Sequence, residues 1–195
     1  CAEPTAHQGR HQKPTWLVYQ ITSSLKALKR VFFVRSTGRT LSLCPCCQGN
    51  LRVIGSRKRM WIRSSGEKSI LIIRRLCCKA CRQIHHELPS FLVPYRRHEA
   101  QVIEDTVMDE ETPAGVEEST LRRWRQWFHS FGPYVAGCLE SIAHRFPEIV
   151  GSSSAHPQTV LQRIGRFVTS ERGWLARAVH RLVNLHLWVH TRSAF

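Results

Sequence analysis

An α+β fold, with a small antiparallel β unit leading into a mostly helical region, is what this 195-residue sequence predicts. Two observations carry the first half: cysteine pairs at Cys44/Cys47 and Cys78/Cys81, and three β-rich runs between them separated by Gly/Ser turns. The third is a change of periodicity at residue 99, after which apolar residues recur at spacings of three and four. The length allows one domain or two small ones. Hydrophobic residues at 42% and charged residues at 22% suit a folded chain rather than a disordered tail.

The elements follow in order. Residues 1–15 read as a disordered N-terminus, and they lack the apolar core of a signal peptide. WLVYQI (16–21) suits a strand, whereas SLKALKRVFFV (24–34) reads as a short amphipathic helix with Leu25, Leu28 and Phe32 on one side. The runs 51–54, 58–63 and 69–76 are expected as antiparallel strands, with turns at Gly55-Ser56 and Ser64-Ser65-Gly66. Pro89 and Pro94 punctuate an extended connection, IHHELPSFLVPY. A helix then carries Ala100, Ile103 and Val107, with Glu104 and Asp105 on another face, and breaks at residues 112–115. Ser119 and Thr120 are good N-cap residues for a second helix bearing Leu121, Trp124, Phe128 and Phe131. Gly132-Pro133 is expected to start a further helix through Phe146, GSSSAHP (151–157) to be a linker, and 158–168 and 171–190 to be two last helices. The expected organisation is therefore a β domain at 16–97, a helix-turn-helix region at 98–150 and a C-terminal helical segment at 157–195.

The cysteines give the sharpest chemistry. Each C-x-x-C pair can offer two thiolates from one turn, and strands bring two turns together into an S₄ tetrahedron. Cys44, Cys47, Cys78 and Cys81 are thus the expected ligands of one structural Zn²⁺, which tolerates all-thiolate coordination without redox chemistry. The β domain would be a zinc ribbon. Cys46 and Cys77 compete as ligands and are expected outside the site, and His85 or His86 can substitute for a thiolate. Disulfides and a redox C-x-x-C are the competing readings. Disulfides require an oxidising compartment, for which no targeting signal argues; a redox pair usually occurs once, in a βαβ context, whereas two pairs on β-turns occur here.

Charge points to a polyanion. The net charge is +15, but it is uneven: residues 52–97 carry twelve basic and two acidic side chains, whereas 98–121 carry eight acidic and no Lys or Arg. The acidic stretch is expected to face away from the polyanion or to pack on basic neighbours. Double-stranded DNA is the expected partner. Lys58, Arg59, Arg74, Arg75, Arg96 and Arg97 would contact phosphates, Ser119 and Thr120 would donate at a helix start, and Arg122, Arg123 and Arg125 would lie on a reading helix. About six neutralised phosphates imply a slope of log K against log salt near −5. A non-catalytic protein–protein adaptor is the alternative, with Trp174, Leu182 and Trp188 of the last helices as a surface for a partner or for self-association.

The stretches IRRLCC (73–78), IHHELPSFLVPYRR (84–97), ESTLRRWRQWF (118–128) and LWVHTRSAF (187–195) resemble an uncharacterised bacterial family, mostly from Gram-positive bacteria, defined only as a domain of unknown function. Its layout is similar to the zinc-ribbon and helix-turn-helix front ends of transposases. The resemblance implies a link to mobile elements and no established activity. Cys77 departs from the family, which has a non-cysteine before the second pair. No paired acids, Gly-rich phosphate loop or nucleophile elbow occurs, so no enzyme activity is expected. No run approaches the ~20 apolar residues of a membrane span, and a cytoplasmic, nucleoid-associated location is expected.

Overall fold

The computed structural model describes residues 15–19, 25–28, 31–34, 43–109, 115–146 and 159–188. Within them six strands precede four α-helices, an α+β arrangement in chain order. The readings at 1–14 and 151–157 lie outside the described residues.

Strand β1 is Thr15–Tyr19, close to the run expected there. The helix expected over 24–34 is instead two strands, β2 (Leu25–Leu28) and β3 (Val31–Val34), paired antiparallel. The reason is the Val31-Phe32-Phe33-Val34 run, β-branched and aromatic, which meets an open sheet edge and pairs with residues 70–72. The helical spacing of three residues could not outweigh that pairing.

The centre of the sheet is a three-stranded antiparallel unit. β4 (Leu51–Ile62) and β5 (Lys68–Cys78) pair along their whole lengths, and β6 (Ile84–Pro89) pairs with residues 75–77. Since β4 occupies one edge of β5 throughout, β3 (parallel) and β6 (antiparallel) share the other edge end to end. β1 extends the sheet in parallel beyond β6. Two expectations change here. The runs 51–54 and 58–63 are one strand, because Gly55 makes a bulge rather than a turn. Val53 faces Leu76 and Gly55 faces Arg75, leaving Ile54 extra, and Gly55 sits at φ 151°, where an L side chain is strained. The connection after the second cysteine pair is itself a strand up to Pro89, because it finds β5 on one side and β1 on the other. The Ser64–Gly66 turn is as expected.

Helices cover one sheet face. α1 (Ala100–Met108), α2 (Glu118–Arg145), α3 (Val160–Val168) and α4 (Trp174–Asn184) share one apolar core with Trp61, Leu71, Ile73 and Leu88 of the sheet. α2 starts one residue before Ser119, with Glu117 as N-cap and no side-chain cap; Ser119 and Thr120 lie in its first turn. The break expected at Gly132-Pro133 does not occur. Gly132 is buried because α3 crosses there: a Cβ on it would lie 2.9 Å from Val160 Cγ1. Pro133 is exposed, while buried Phe131, Val135 and Ala136 hold the helix on both sides of it. The Thr159–Gln162 capping box sets the start of α3.

Glu104 also departs from expectation. It faces inward, 2% exposed, and accepts hydrogen bonds from the backbone N–H of Gly173 (2.6 Å) and Leu175 (3.0 Å). An α1 carboxylate thereby caps the otherwise unpaired N–H groups at the start of α4. Trp174 and Leu182, expected as partner surface, are 2% and 0% exposed and form core packing. No described helix is long and apolar enough to cross a membrane.

Candidate functional site

Two turns of the same design bring the cysteines together. In each, the first cysteine donates its N–H to the carbonyl five residues on: Cys44 to Gly49 at 2.8 Å and Cys78 to Gln83 at 3.0 Å. In each, the residue after the second cysteine takes a left-handed backbone, Gln48 at φ 59° and Arg82 at φ 62°. Each turn also folds its N–H groups onto sulfur. Cys44 Sγ accepts from Cys46 and Cys47, and Cys78 Sγ accepts from Ala80 and Cys81. The Lys79 N–H donates to the Asn50 carbonyl at 3.1 Å and ties one turn to the other.

The result is four sulfurs, of Cys44, Cys47, Cys78 and Cys81, all within 4.8 Å of one another. Cys44–Cys81 and Cys47–Cys78 are each 3.5 Å apart. A disulfide needs about 2.05 Å, so these are separate thiols. A tetrahedron with metal–sulfur bonds of about 2.3 Å has edges near 3.8 Å, close to what is found. Gly49 is required by the closeness of the turns: a Cβ there would stand 3.0 Å from Ala80 Cβ and 3.1 Å from Cys78 Sγ.

Electrostatics show what the cluster lacks without a cation. Burial pushes the Cys44 thiol up. At Cys81 the Gln83 N–H pulls down, but burial and the thiols of Cys47, Cys44 and Cys78 together outweigh it and push the group up to about 12. Cys78 is held down to about 7, chiefly by the Cys81 N–H. Four adjacent thiolates repel one another, and a divalent cation at their centre reverses that balance.

His85 stands behind the cluster, fully buried, with Nε2 3.3 Å from Cys44 Sγ. Burial, with His186 beyond, pushes it down to about 4, so the ring is neutral at pH 7, and the tautomer with its proton on Nε2 would donate to sulfur. Cys44, Cys46 and His85 form a second possible ligand set, although Cys46 is exposed. Cys77 points its sulfur at the Cys78 and Arg82 carbonyls.

The basic residues divide into two groups. Some are already engaged by the protein. Arg74 makes a two-point pair with the fully buried Glu87 carboxylate. Arg59 donates to the Val93 and Arg96 carbonyls, and burial lowers it to about 10. Arg96 lies over the Trp127 ring at 4.9 Å. Arg122 pairs with Glu118, and Arg125 with Asp109 at 2.9 Å. Ser119 Oγ donates to Glu117. Arg75 is half-buried opposite His86, and Thr120 is half-buried. The others are exposed: Lys58, Arg123, and Arg97, whose Nη1 lies 3.9 Å from Met60 Sδ.

Lys58, Arg59, Arg96 and Arg97 converge with Arg57, Met60 and Tyr95 on an open cleft of about 420 Å³ between β4 and the 95–97 loop. Five cations line it and no carboxylate does. Arg57 and Tyr95 had no distinguishing sequence signal beyond lying beside basic pairs.

No curated protein and no solved structure matches the chain. Residues 44–124, from the first cysteine of the cluster to Trp124 in α2, match the family model described as a domain of unknown function, DUF6431, which therefore contains both the thiol cluster and the basic cleft.

Proposed function

We propose that this chain is a DNA-binding protein without catalytic activity, whose cationic surface is held in shape by one structural zinc ion in a ribbon of two cysteine turns. Cys44, Cys47, Cys78 and Cys81 would hold the metal, which as Zn²⁺ supplies cross-linking of the turns rather than chemistry. His85 orients Cys44 from behind. The observation that carries the DNA reading is the carboxylate-free cluster of five cations beside this platform, in a chain of net charge +15.

The packed pair α1 and α2 is read as a helix-turn-helix, with exposed Arg122, Arg123 and Arg125 on the second helix. Against catalysis stands the use of the carboxylates: Glu87, Glu99, Glu104 and Asp105 are each engaged by a protein donor. An association with a mobile element follows from the family resemblance and would be read from DNA target choice.

The test is a mobility-shift series on the purified full chain with a random-sequence duplex at increasing KCl, alongside zinc content by emission spectroscopy. One zinc per chain and a complex that weakens steadily with salt are expected. A chain that holds no zinc, or shifts no duplex at low salt, overturns the corresponding half of the reading.

A further inference from the structure

We propose that the cleft between β4 and the 95–97 loop holds a single strand of nucleic acid, with phosphates on Arg57, Lys58 and Arg97 and one base against Tyr95. The inference rests on the nucleic-acid reading above and specifies the form of ligand at this site.

Size is the first argument. A cleft of about 420 Å³ falls in the range of pockets that enclose one small ligand, so it has room for a nucleotide unit or two of one strand.

Polar groups are the second argument. The Ile62 N–H donates outward to the Arg97 carbonyl at 2.9 Å, which fixes the direction of alternate N–H groups along this strand. By that alternation the N–H groups of Met60 and Lys58 also face the outer edge. Among the described residues that edge has no partner strand over 51–60. Among the described residues the cleft therefore offers cations and unpaired backbone N–H donors, and lacks the acceptors a phosphodiester strand would bring.

Backbone strain is the third. Tyr95 sits at φ 64°, a left-handed conformation that a bulky side chain adopts at a cost. The loop is held there by Arg59, whose guanidinium donates to the carbonyls of Val93 and Arg96 on either side of it. Arg59 is thus a positioning residue, and Tyr95, half-buried against the core, lines the cleft. An aromatic wall with cations at the mouth is how single strands are held without sequence preference: bases stack and phosphates pair.

The test compares fluorescein-labelled oligothymidine of about twelve nucleotides with a duplex of about twenty base pairs by anisotropy, at about 100 mM KCl. Wild type should bind the single strand. Tyr95→Leu should weaken that binding about tenfold and change duplex binding less than about twofold, because only an unpaired base can stack. Tyr95→Phe should keep wild-type affinity. The triple variant Arg57→Gln, Lys58→Gln, Arg97→Gln should reduce the single-strand salt slope by about two. Should Tyr95→Leu fail to fold, 4-thiothymidine crosslinking of the wild type replaces it, and the adduct should map to 95–97. Duplex binding without oligothymidine binding, an unaffected Tyr95→Leu, or adducts confined to other segments overturns the inference and leaves the DNA reading standing. Binding to neither probe overturns both.

Discussion

Replacing Cys78 by serine should weaken zinc binding by one ligand, lower the zinc content and lower the melting temperature together. Cys78 is fully buried, with its sulfur 3.5 Å from Cys47 Sγ and its thiol held down to about 7 by backbone N–H groups. A serine hydroxyl in that place stays protonated at neutral pH and supplies no anionic ligand. Structural zinc contributes about 10–16 kcal/mol in small fingers, so one bond of four is worth about 3–4 kcal/mol. That is a large share of the ~5–15 kcal/mol that stabilises a whole domain. At about 2–4 °C per kcal/mol for a chain of this size, Tm should fall by about 6–16 °C. Scanning calorimetry and zinc content on the same preparation make the assay. Cys138→Ser, on α2 away from the cluster, and Cys46→Ser should each retain one zinc and melt within about 2 °C of wild type. A C78S protein that keeps its zinc and its Tm would refute the reasoning. A C46S protein that loses its zinc would move the ligand set to Cys44, Cys46 and His85.

Gly49→Ala should lower zinc affinity about 10- to 100-fold, measured by competition with a chromophoric chelator, since its Cβ would press on Cys78 Sγ at 3.1 Å and Cys47 Sγ at 3.3 Å; unchanged affinity would mean that the two turns can move apart. Arg74→Met leaves the buried Glu87 carboxylate without its cation and should cost about 3 kcal/mol in urea unfolding, at the low end for a broken buried pair because Arg74 is partly exposed. The double variant Arg74→Met, Glu87→Met should recover most of that loss, and no recovery would show that the pair has another role. Glu104→Gln offers one acceptor to the two N–H groups of Gly173 and Leu175 and should cost about 1–3 kcal/mol at pH 7. Burial raises the Glu104 carboxyl above 4.5, so folding favours its protonated form. Its contribution is full below the unfolded value and is lost as pH rises through the folded one. The stability gap between wild type and E104Q should therefore widen from pH 7 toward pH 5, and a constant gap would contradict the assignment.

The elements legible in the sequence were those whose signal is local. The S₄ arrangement followed from C-x-x-C spacing, because a turn fixes the distance between its own two sulfurs whatever surrounds it. The buried faces of the first two helices followed from apolar periodicity, since Ala100, Ile103, Leu121 and Trp124 are buried where that pattern put them. Their ends did not: the first helix ends at Met108, before the break expected at 112–115, and Glu117 rather than Ser119 or Thr120 caps the second. Elements decided by distant partners were not legible. Residues 25–34 carry a helical spacing, and only the open edge of β5 makes them strands. Gly132-Pro133 has the local chemistry of a helix start, and only the crossing of α3 shows why glycine stands there. Glu104 reads as a solvent-facing carboxylate until the start of α4, some seventy residues on, is found against it.

Charge was legible in total and not in allocation, and the difference changes the expected salt dependence. The acidic segment does not simply face away. Asp105 pairs with Arg172, Asp109 with Arg125 and Glu118 with Arg122, while Glu99 accepts from Trp61 and Ser64. It acts as internal countercharge, and the carbonyls of Val93 and Arg96 together with Glu87 occupy Arg59 and Arg74 in the same way. Of the cleft cations and the arginines expected on the reading helix, those that are exposed with no carboxylate partner among the described residues are Arg57, Lys58 and Arg97 at the cleft and Arg123 on α2. Four phosphate contacts give a duplex slope of log K against log salt of about −3.6, shallower than the −5 expected from about six contacts. Anisotropy titrations between about 50 and 200 mM KCl resolve the two, as they differ by roughly sevenfold in affinity across that range. A slope at or beyond −5 would mean that Arg59 or Arg74 releases its protein partner on binding. The cleft would then be a surface that rearranges on DNA rather than one held ready for it.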